Sequence, residues 1–364
     1  MTINPPQALS LRHSKTNPRL NRQKSLSSQP NPNRLSKRNL RMPMPATPHS
    51  KEKIMSLKMV KKTKFIVGLL TLVALCGTAQ ADPPLPLHNI EGNSGVFITS
   101  TAYLANPPEK GETFGKPSFS TSAVFGKEKD LESFAVTENI LGKFEIGYAY
   151  ERLGLGDWAS DVKAATGYKV NNHLGMHNFN LRAMVVEEGS YDCSWMPAIT
   201  LGTHFKWTEG LNSLDDDLNG TMDTLGADHS RGVEFTAVAS KTITDLLPRP
   251  VILSAGIRNS DAIHTGLVGF AGDDERHTTF EGSIIAFLTD KLAFAAEYRQ
   301  KADELAQLNT GGKHLNKAEN DWWTLCLAYV VNDNMTISGG YANLGNVFNH
   351  QEDNVWALQL KYEF

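Results

Sequence analysis

The sequence is poor in cysteine and, beyond its amino-terminal region, has no long hydrophobic run. Three cysteines occur in 364 residues, and the two beyond position 81, Cys193 and Cys326, have no regular spacing. This scarcity excludes a disulfide framework and a zinc ligand set, and we expect Cys326 to be a small packed residue. No apolar stretch after position 81 reaches the roughly 20 residues of a transmembrane helix, and helical periodicity is scarce. The pattern therefore does not favour a helical protein.

Catalytic motifs are absent as well. The sequence contains no G-x-S-x-G nucleophile elbow, no H-E-x-x-H zinc motif and no phosphate-binding loop. Five histidines lack any recognisable partner motif: His204, His229, His264, His277 and His314. A scattered histidine is more often a plain hydrogen-bonding residue than a catalyst. We therefore expect no enzymatic activity, and no catalytic residue is assigned.

A secretory signal peptide is predicted at residues 59–81. Three lysines between positions 61 and 64 precede an uncharged apolar run, and small residues in an A-x-A pattern end at Ala81. The run is too short to span a bilayer as a helix. Cleavage after Ala81 would leave a mature chain that starts at Asp82. Lipidation of Cys76 is disfavoured, because Leu75 stands where a lipoprotein signal has a small residue.

The leading residues 1–58 are rich in Pro, Ser, Asn, Arg and Lys, with twelve basic residues and one acid, Glu52. Such a segment cannot bury a core and is expected to be disordered. We interpret it as a mis-assigned start, with a basic nucleic-acid-binding tail as the alternative. Beyond position 81 the chain holds 21 basic and 38 acidic residues, a net charge near −17. This charge argues against nucleic acid as a partner.

Alternating polarity with a period of two dominates the rest of the chain. In the last ten residues, Trp356, Leu358, Leu360, Tyr362 and Phe364 share one face, which predicts a strand with one apolar side. Eleven earlier segments have a similar pattern: 117–126, 131–141, 143–154, 177–188, 197–207, 232–243, 250–258, 279–288, 291–300, 321–330 and 335–344. The segment 131–141 fits poorly, because Glu132 and Glu138 share a face with Phe134 and Val136.

Loop lengths alternate between short turns and long polar loops. Connections near 289–290, 331–334 and 244–249 are short, whereas five polar loops are long: 155–176, 208–231, 259–278, 301–320 and 345–354. Short turns on one side and long loops on the other are typical of outer-membrane barrels. We predict an all-β chain with a transmembrane antiparallel up-and-down β-barrel of about 12 strands (12–14) at residues 116–364. A soluble sandwich is the alternative.

The residues just before the barrel allow three interpretations. Residues 82–115 form a periplasmic arm, a plug or an extra strand, since residues 96–104 also resemble a strand. Further along, residues 157–167 could form a short amphipathic helix in an outer loop, with Trp158 and Val162 on one face.

The two faces of the predicted strands differ in chemistry. One face is apolar and would meet lipid, with Tyr and Trp at the strand ends: Phe144, Ile146, Tyr148, Tyr150, Phe179, Leu181, Val185, Ile199, Leu201, Phe205, Trp207, Phe294, Tyr298, Trp323, Leu325, Leu327 and Tyr329. The other face carries charges that would line the lumen, where water or opposite charges satisfy them: Glu145, Glu151, Arg182, His204, Lys206, Glu234, Arg258, Glu281, Glu297, Arg299 and Lys361.

Several stretches resemble an uncharacterised family of Gram-negative bacterial proteins, domain of unknown function 3034. The stretches are TAYLANP (101–107), HNFNLRAMVVEE (177–188), AITLGTHFKW (198–207), ILSAGIRNS (252–260), TTFEGS (278–283), EYRQK (297–301) and WALQLKYEF (356–364). The resemblance covers about residues 91–364 and implies an outer-membrane barrel. It brings no catalytic residues. Separately, the last strand with its terminal aromatic residue resembles the carboxy-termini of other outer-membrane barrels, which implies that Phe364 and Tyr362 serve as the assembly signal read by the barrel assembly machinery.

One acidic loop resembles the opening of a calcium-binding loop. Asp215, Asp217 and Asn219 occupy the first, third and fifth places, and Asp223 the ninth. The twelfth place holds Gly226 instead of the expected bidentate glutamate, and no flanking helices are predicted. An acidic, solvated loop is the simpler interpretation, so calcium is the one cofactor left open.

The function predicted from these features is a porin-like or substrate-specific passive channel with a charged lumen, located in the outer membrane. Its partners would be lipid, the assembly machinery and small solutes or ions. A structural or surface-interaction barrel, filled by its own side chains, is the main alternative, and a barrel enzyme is the least favoured.

Overall fold

The structure is a computed structural model that describes residues 87–244, 248–271, 276–305, 309–310, 313–314 and 316–364. The predicted extension and signal peptide, residues 1–81, lie outside this part. Within it the strands are β1 Ser118–Phe125, β2 Asp130–Ile140, β3 Phe144–Gly154, β4 His173–Val186, β5 Ala198–Glu209, β6 Arg231–Ile243, β7 Val251–Ser260, β8 His277–Phe287, β9 Leu292–Arg299, β10 Asn309–Thr310, β11 Lys313–His314, β12 Trp322–Asn332, β13 Met335–Asn343, β14 Asn346–Val347, β15 His350–Gln351 and β16 Val355–Glu363. The helices are α1 Trp158–Thr166, α2 Leu211–Asp217, α3 Thr221–Thr224 and a 3₁₀ turn, Ile263–Gly266.

Twelve strands close into one antiparallel barrel. Their order is β1-β16-β13-β12-β9-β8-β7-β6-β5-β4-β3-β2, and the remaining four strands form two small hairpins outside it. The first and last strands close the ring, with Ser118 opposite Glu363 and Phe125 opposite Trp356. Closure satisfies the backbone hydrogen bonds that an open sheet edge would leave free in a membrane. The predicted strand number and the twelve predicted segments are confirmed.

The outer surface of the barrel is apolar. None of the seventeen side chains predicted to face lipid is buried, and Leu201, Leu327 and Tyr329 are about half exposed. Aromatic residues such as Trp207 and Trp323 lie near strand ends, as expected for an interfacial girdle. A closed barrel with such a belt is an outer-membrane β-barrel. Separately, no helix among the described residues is long and apolar enough to cross a membrane.

The long connections carry helices that cover one end of the barrel. Helix α1 begins at Trp158 and ends before Gly167, whose φ of 85° suits a glycine after a helix. Trp158 and Val162 are buried on one face, so the predicted amphipathic helix is confirmed. The end of the barrel that bears these long loops is called the outer end below.

Residues 96–104, whose sequence resembles a strand, do not form a regular strand in the structure. These residues form bends and isolated bridges, such as Gly95 with Ser100, and they lie inside the barrel. Residues 87–105, called the inserted segment below, are almost entirely buried. Side chains of the barrel strands, called the wall below, bind the backbone of the inserted segment.

Candidate functional site

The inserted segment lies within the lumen and is held by side chains of the surrounding strands. Its contacts reach strands all around the ring, from Gln359 of β16, which donates to the His88 carbonyl at 2.6 Å, to Ser240 of β6, which accepts from the Ala102 N–H at 2.7 Å. Among the three interpretations of residues 82–115, these contacts favour a plug for the part that the structure describes.

Wall side chains take the place of water for the backbone of the inserted segment. Two carboxylates accept its N–H groups: Glu145 from Ser94 (3.2 Å) and Ala105 (2.6 Å), and Glu297 from Ile98 (2.8 Å) and Thr99 (2.7 Å). Amide and hydroxyl groups donate to its carbonyls: Ser133, Thr137, Asn139, Asn178, Asn180 and Thr200. Buried backbone groups require such partners.

This role accounts for β2, whose alternation looked poor in the sequence. Its inner face carries Ser133, Thr137 and Asn139, which are small polar residues that hold the inserted segment. Its outward-facing acids are only partly buried, and Glu132 lies 3.9 Å from Arg152 of β3.

A glycine allows the wall and the inserted segment to approach closely. A Cβ on Gly147 of β3 would lie 1.9 Å from the carbonyl oxygen of Gly92. Gly92 itself has a φ of +79°, which favours glycine. Glycine within a strand is a signal of such an approach, but it does not indicate which segment approaches.

Glu91 of the inserted segment is the centre of a buried ion-pair cluster. Its carboxylate lies 2.6 Å from Lys206 Nζ, 2.9 Å from Arg258 Nη2 and 3.2 Å from Arg299 Nη1. Glu234 and Glu281 complete the cluster, at 2.5 and 3.4 Å from Arg258. Three carboxylates therefore face three cations, and this balance makes burial of all six groups tolerable.

The structure places all eleven predicted lumen residues inside the barrel, each at most 4 % exposed. Five of them join the cluster around Glu91. Others serve elsewhere: Glu145 pairs with Arg182 at 2.7 Å, and Lys361 pairs with Glu363 at 2.6 Å. His204 accepts or donates a hydrogen bond with Asn178 at 3.1 Å. Both carboxylate oxygens of Glu151 are buried without a hydrogen-bond partner among the described residues.

Sequence reasoning missed the central residue of this site. Glu91 is completely buried, yet it lies outside the regular strands, so no period-two pattern indicates its direction. The six small polar wall residues do share the inner face with the charges, and this recurrence was a usable signal.

Metal binding has two candidate locations with different geometry. Glu91, His204 and Glu234 present ligand atoms within 4.8 Å of one another, but Lys206 and Arg258 already bind both carboxylates. The cluster is therefore better described as an ion-pair network.

The four predicted calcium ligands lie around α2 and α3, so helices do flank this loop, contrary to expectation. Asp215 Oδ1 accepts from the N–H of Met222 at 2.7 Å and of Asp223 at 3.2 Å. The Asp215 carboxylate thus caps α3, and calcium binding by Asp215, Asp217, Asn219 and Asp223 stays a prediction.

An inward-folded loop closes the outer end of the lumen. All residues of 261–271 except the partly exposed Ala262 are buried, and Lys206 of the cluster donates to the Thr265 carbonyl at 2.8 Å. His264 and Thr265 both have positive φ, 46° and 65°, which strains residues other than glycine. Lys206 therefore joins three parts of the molecule: the wall, the inserted segment and this loop.

A second ion cluster holds this loop to the next one. Glu319 lies 2.8 Å from His264 Nε2 and 2.8 Å from Lys301 Nζ, and Lys301 also lies 4.4 Å from the Trp322 ring centroid. Burial alone would raise the pKa of Glu319, but the charges of His264 and Lys301 outweigh it and hold this pKa at about 2. Burial lowers the pKa of both His264 and Lys301.

We expect acid to loosen this second cluster. The pKa of Glu319 is lowered from 4.5 to about 2, so its stabilising contribution is complete above pH 4.5 and is lost as the pH falls towards 2. The lowered pKa of His264 acts in the same direction below its ordinary value of 6.5. Tryptophan emission between pH 7 and 2 measures the change, since Lys301 contacts Trp322. Glu319→Gln should flatten the plot of tryptophan emission against pH below pH 4.5. Glu109→Gln changes an exposed acid and should leave this plot unchanged. If both variants gave the same plot, Glu319 would not be the group whose titration loosens the cluster.

An apolar cavity separates the inserted segment from the outer loops. Its volume is about 80 Å³, and its lining includes Ile90 and Phe97 from the inserted segment, Leu153 from the wall, and Leu267 and Val347 from the loops. An apolar space therefore lies beside the buried charges that contact the inserted segment. The prediction of a charged lumen did not include this apolar part.

Comparison with solved structures returns outer-membrane barrels at very low identity. A KdgM porin is 8 % identical, with 68 % of this chain and 99 % of the porin covered and a TM-score of 0.41. The outer membrane protein Omp33 of Acinetobacter baumannii is 9 % identical, with coverages of 68 % and 98 % and a TM-score of 0.39. An outer membrane phospholipase of Salmonella typhi is 7 % identical, with coverages of 70 % and 93 % and a TM-score of 0.32.

Sequence comparison identifies the family but no characterised relative. No curated protein is significantly similar to the chain. The family model described as protein of unknown function (DUF3034) matches residues 86–361, which include the inserted segment from its first residue and all but the end of the barrel. The resemblance seen in the sequence is therefore confirmed, and the chain belongs to the DUF3034 family.

Proposed function

We propose that the protein is a gated passage barrel of the outer membrane whose resting state is closed by its own inserted segment. The observation that carries the proposal is the cluster around Glu91, where one carboxylate of the segment binds Lys206, Arg258 and Arg299 of the wall. Because the cluster adds charge pairing to the hydrogen bonds that hold the backbone of the segment, protonation or loss of Glu91 would weaken that hold and favour release of the segment without unfolding the wall.

The wall supports this proposal because its own hydrogen bonds do not require the segment. Twelve strands close on one another, so the barrel remains continuous when residues 87–105 leave. A lumen with charges of both signs, once opened, would pass small polar solutes or ions, and Arg258 and Glu234 would then face the path.

Glu91→Gln tests the gate. The variant keeps the shape of the side chain but removes the charge that three cations share. Loss of one partner from a buried ion pair costs about 3–5 kcal/mol, so the open fraction should rise at least a hundredfold, at about 1.4 kcal/mol per factor of ten. The measurement is single-channel conductance of the refolded full-length chain in a planar bilayer, where we expect rare openings for the parent and frequent ones for the variant.

Two controls make the conductance result decisive. Glu109→Gln changes an exposed acid just beyond the inserted segment and should behave like the parent protein. Heat-modifiable migration shows that each variant has folded, and protease sensitivity of residues 87–105 shows that the segment has been released. A folded Glu91→Gln variant with a released segment and no conductance would overturn the proposal and favour the structural or surface-interaction barrel.

A further inference from the structure

Two apolar chambers lie in succession at the outer end of the barrel. The inner chamber is the cavity of about 80 Å³ above the inserted segment. The outer chamber has a volume of about 50 Å³ and is lined by Trp158 and Val162 of α1, Leu218 and Met222 near α2 and α3, and Phe348. Protein interiors seldom leave voids larger than a water molecule, so two neighbouring apolar chambers require an explanation.

The Phe348 side chain contacts residues that line each of the two chambers. The Phe348 ring centroid lies 5.0 Å from that of Trp158, which lines the outer chamber, and 5.5 Å from that of His264, which lines the inner one. Rotation of this ring would therefore join the two spaces.

The backbone around the Phe348 ring is strained. Phe348 and Asn349 have φ values of +45° and +66°, and His264 and Thr265 across from them have φ values of +46° and +65°. Non-glycine residues in this region cluster at ligand clamps and switches, where the surrounding structure maintains the strain. Strained backbone on both sides of the Phe348 ring is consistent with a ring that changes conformation when a ligand binds.

The volumes decide between kinds of apolar ligand. An engineered apolar cavity of about 150 Å³ holds one benzene ring, and each chamber here is much smaller. Each chamber alone is therefore smaller than the cavity that is known to hold a compact ring. A slim chain of methylene groups fits each chamber and also fits the passage that opens when Phe348 rotates.

We propose that the two chambers together bind one unbranched hydrocarbon chain that enters from the outer side and displaces the Phe348 ring. The lining supports this assignment, because Leu153, Leu267 and Val347 in the inner chamber and Val162 and Met222 in the outer one offer apolar contacts. This inference rests on the proposed function only if the bound hydrocarbon is then to pass through the lumen. Binding itself does not require an open barrel.

The test uses 1-bromohexane, a linear probe whose bromine quenches tryptophan fluorescence, with the full-length protein in detergent micelles. Trp322 lines the inner chamber and Trp158 the outer one, whereas Trp323 faces lipid. We expect a saturable quenching component above the linear background from the micelle. The double variant Trp158→Phe/Trp322→Phe should lose this component, and Trp323→Phe should retain it.

A blocking variant tests occupancy by a second route. Ala357→Leu adds three carbons to a buried side chain that lines the inner chamber, and it should weaken the saturable component at least tenfold. Ala296→Leu makes the same change on the outward-facing side of β9 and should bind like the parent protein. Heat-modifiable migration verifies that both variants fold.

Three outcomes would overturn the inference. The first is linear quenching alone, equal in all variants, which would show partition into the micelle only. The second is equal saturable binding of bromobenzene, which would contradict the preference for a chain. The third is unchanged binding in folded Ala357→Leu. Conductance after Glu91→Gln is independent of all three results, so failure of this inference and failure of the proposed function are distinguishable.

Discussion

Replacing Arg258 with methionine is expected to destabilise the folded barrel by about 3–5 kcal/mol. Arg258 contacts Glu91, Glu234 and Glu281 at 2.9, 2.5 and 3.4 Å. Methionine keeps much of the aliphatic length but leaves three buried carboxylates with only two cations, Lys206 and Arg299. Urea unfolding of the refolded protein, followed by loss of heat-modifiable migration, measures the difference.

Arg249→Met is the matched control. Arg249 also pairs with a carboxylate, at 2.6 Å from Asp290, but both side chains are largely exposed. Exposed pairs contribute about 0–1 kcal/mol, so this variant should remain close to the parent protein.

A double variant separates charge imbalance from lost packing. Arg258→Met with Glu281→Gln removes one of the carboxylates left without a cation and should recover part of the stability. A single Arg258→Met variant as stable as Arg249→Met would show that the cluster contributes nothing to folding. A double variant no better than the single one would assign the loss to packing.

Deleting Phe364 is expected to reduce the amount of assembled barrel in the outer membrane several-fold while secretion continues. The resemblance to other barrel carboxy-termini implies that Phe364 and Tyr362 are read during insertion. In the folded protein the Phe364 ring is more than half exposed and packs edge-on against Phe119 and Tyr362, with centroids 5.3 and 5.0 Å apart. Heat-modifiable protein in membrane fractions measures assembly.

The packing partner provides the control for this prediction. Phe119→Ala removes the same ring contact but keeps the terminal residue, so it should assemble almost normally. The purified Phe364 deletion should also refold in detergent as the parent protein does, because no insertion machinery acts there. If Phe119→Ala reduced the amount of assembled barrel as much as the deletion of Phe364 does, the cause would be lost ring packing and not lost recognition of the terminus.

The strands, and the side of the barrel to which each side chain points, could be predicted from the sequence, because contact with lipid requires an apolar residue at every second position of a strand. Segments such as β3 and β12 place aromatic and aliphatic residues outward at every second position, and the structure has them within a few residues of the predicted bounds.

The contents of the lumen could not be predicted in the same way. Charges at Arg258 and Glu297 fit a water-filled lumen and a plugged lumen equally, since both satisfy polar groups. Only the partner distinguishes the two cases, and the partners of these residues, Glu91 and the backbone of Ile98 and Thr99, lie in an irregular segment without periodicity. The outer closure by His264, Lys301 and Glu319 depends likewise on loop conformation.

The hydrogen bonds between the wall and the inserted segment determine which positions can change in sequence among related barrels. Asn178, Asn180 and Thr200 bind main-chain carbonyls of the segment, and Glu145 and Glu297 bind its main-chain N–H groups. Any residue except proline presents these same groups. Side chains of the segment other than Glu91, which pairs with three cations, can therefore drift during evolution while the path of its backbone persists. Divergence should be slow at the wall positions that hold that path, and fast at the segment positions that only follow it.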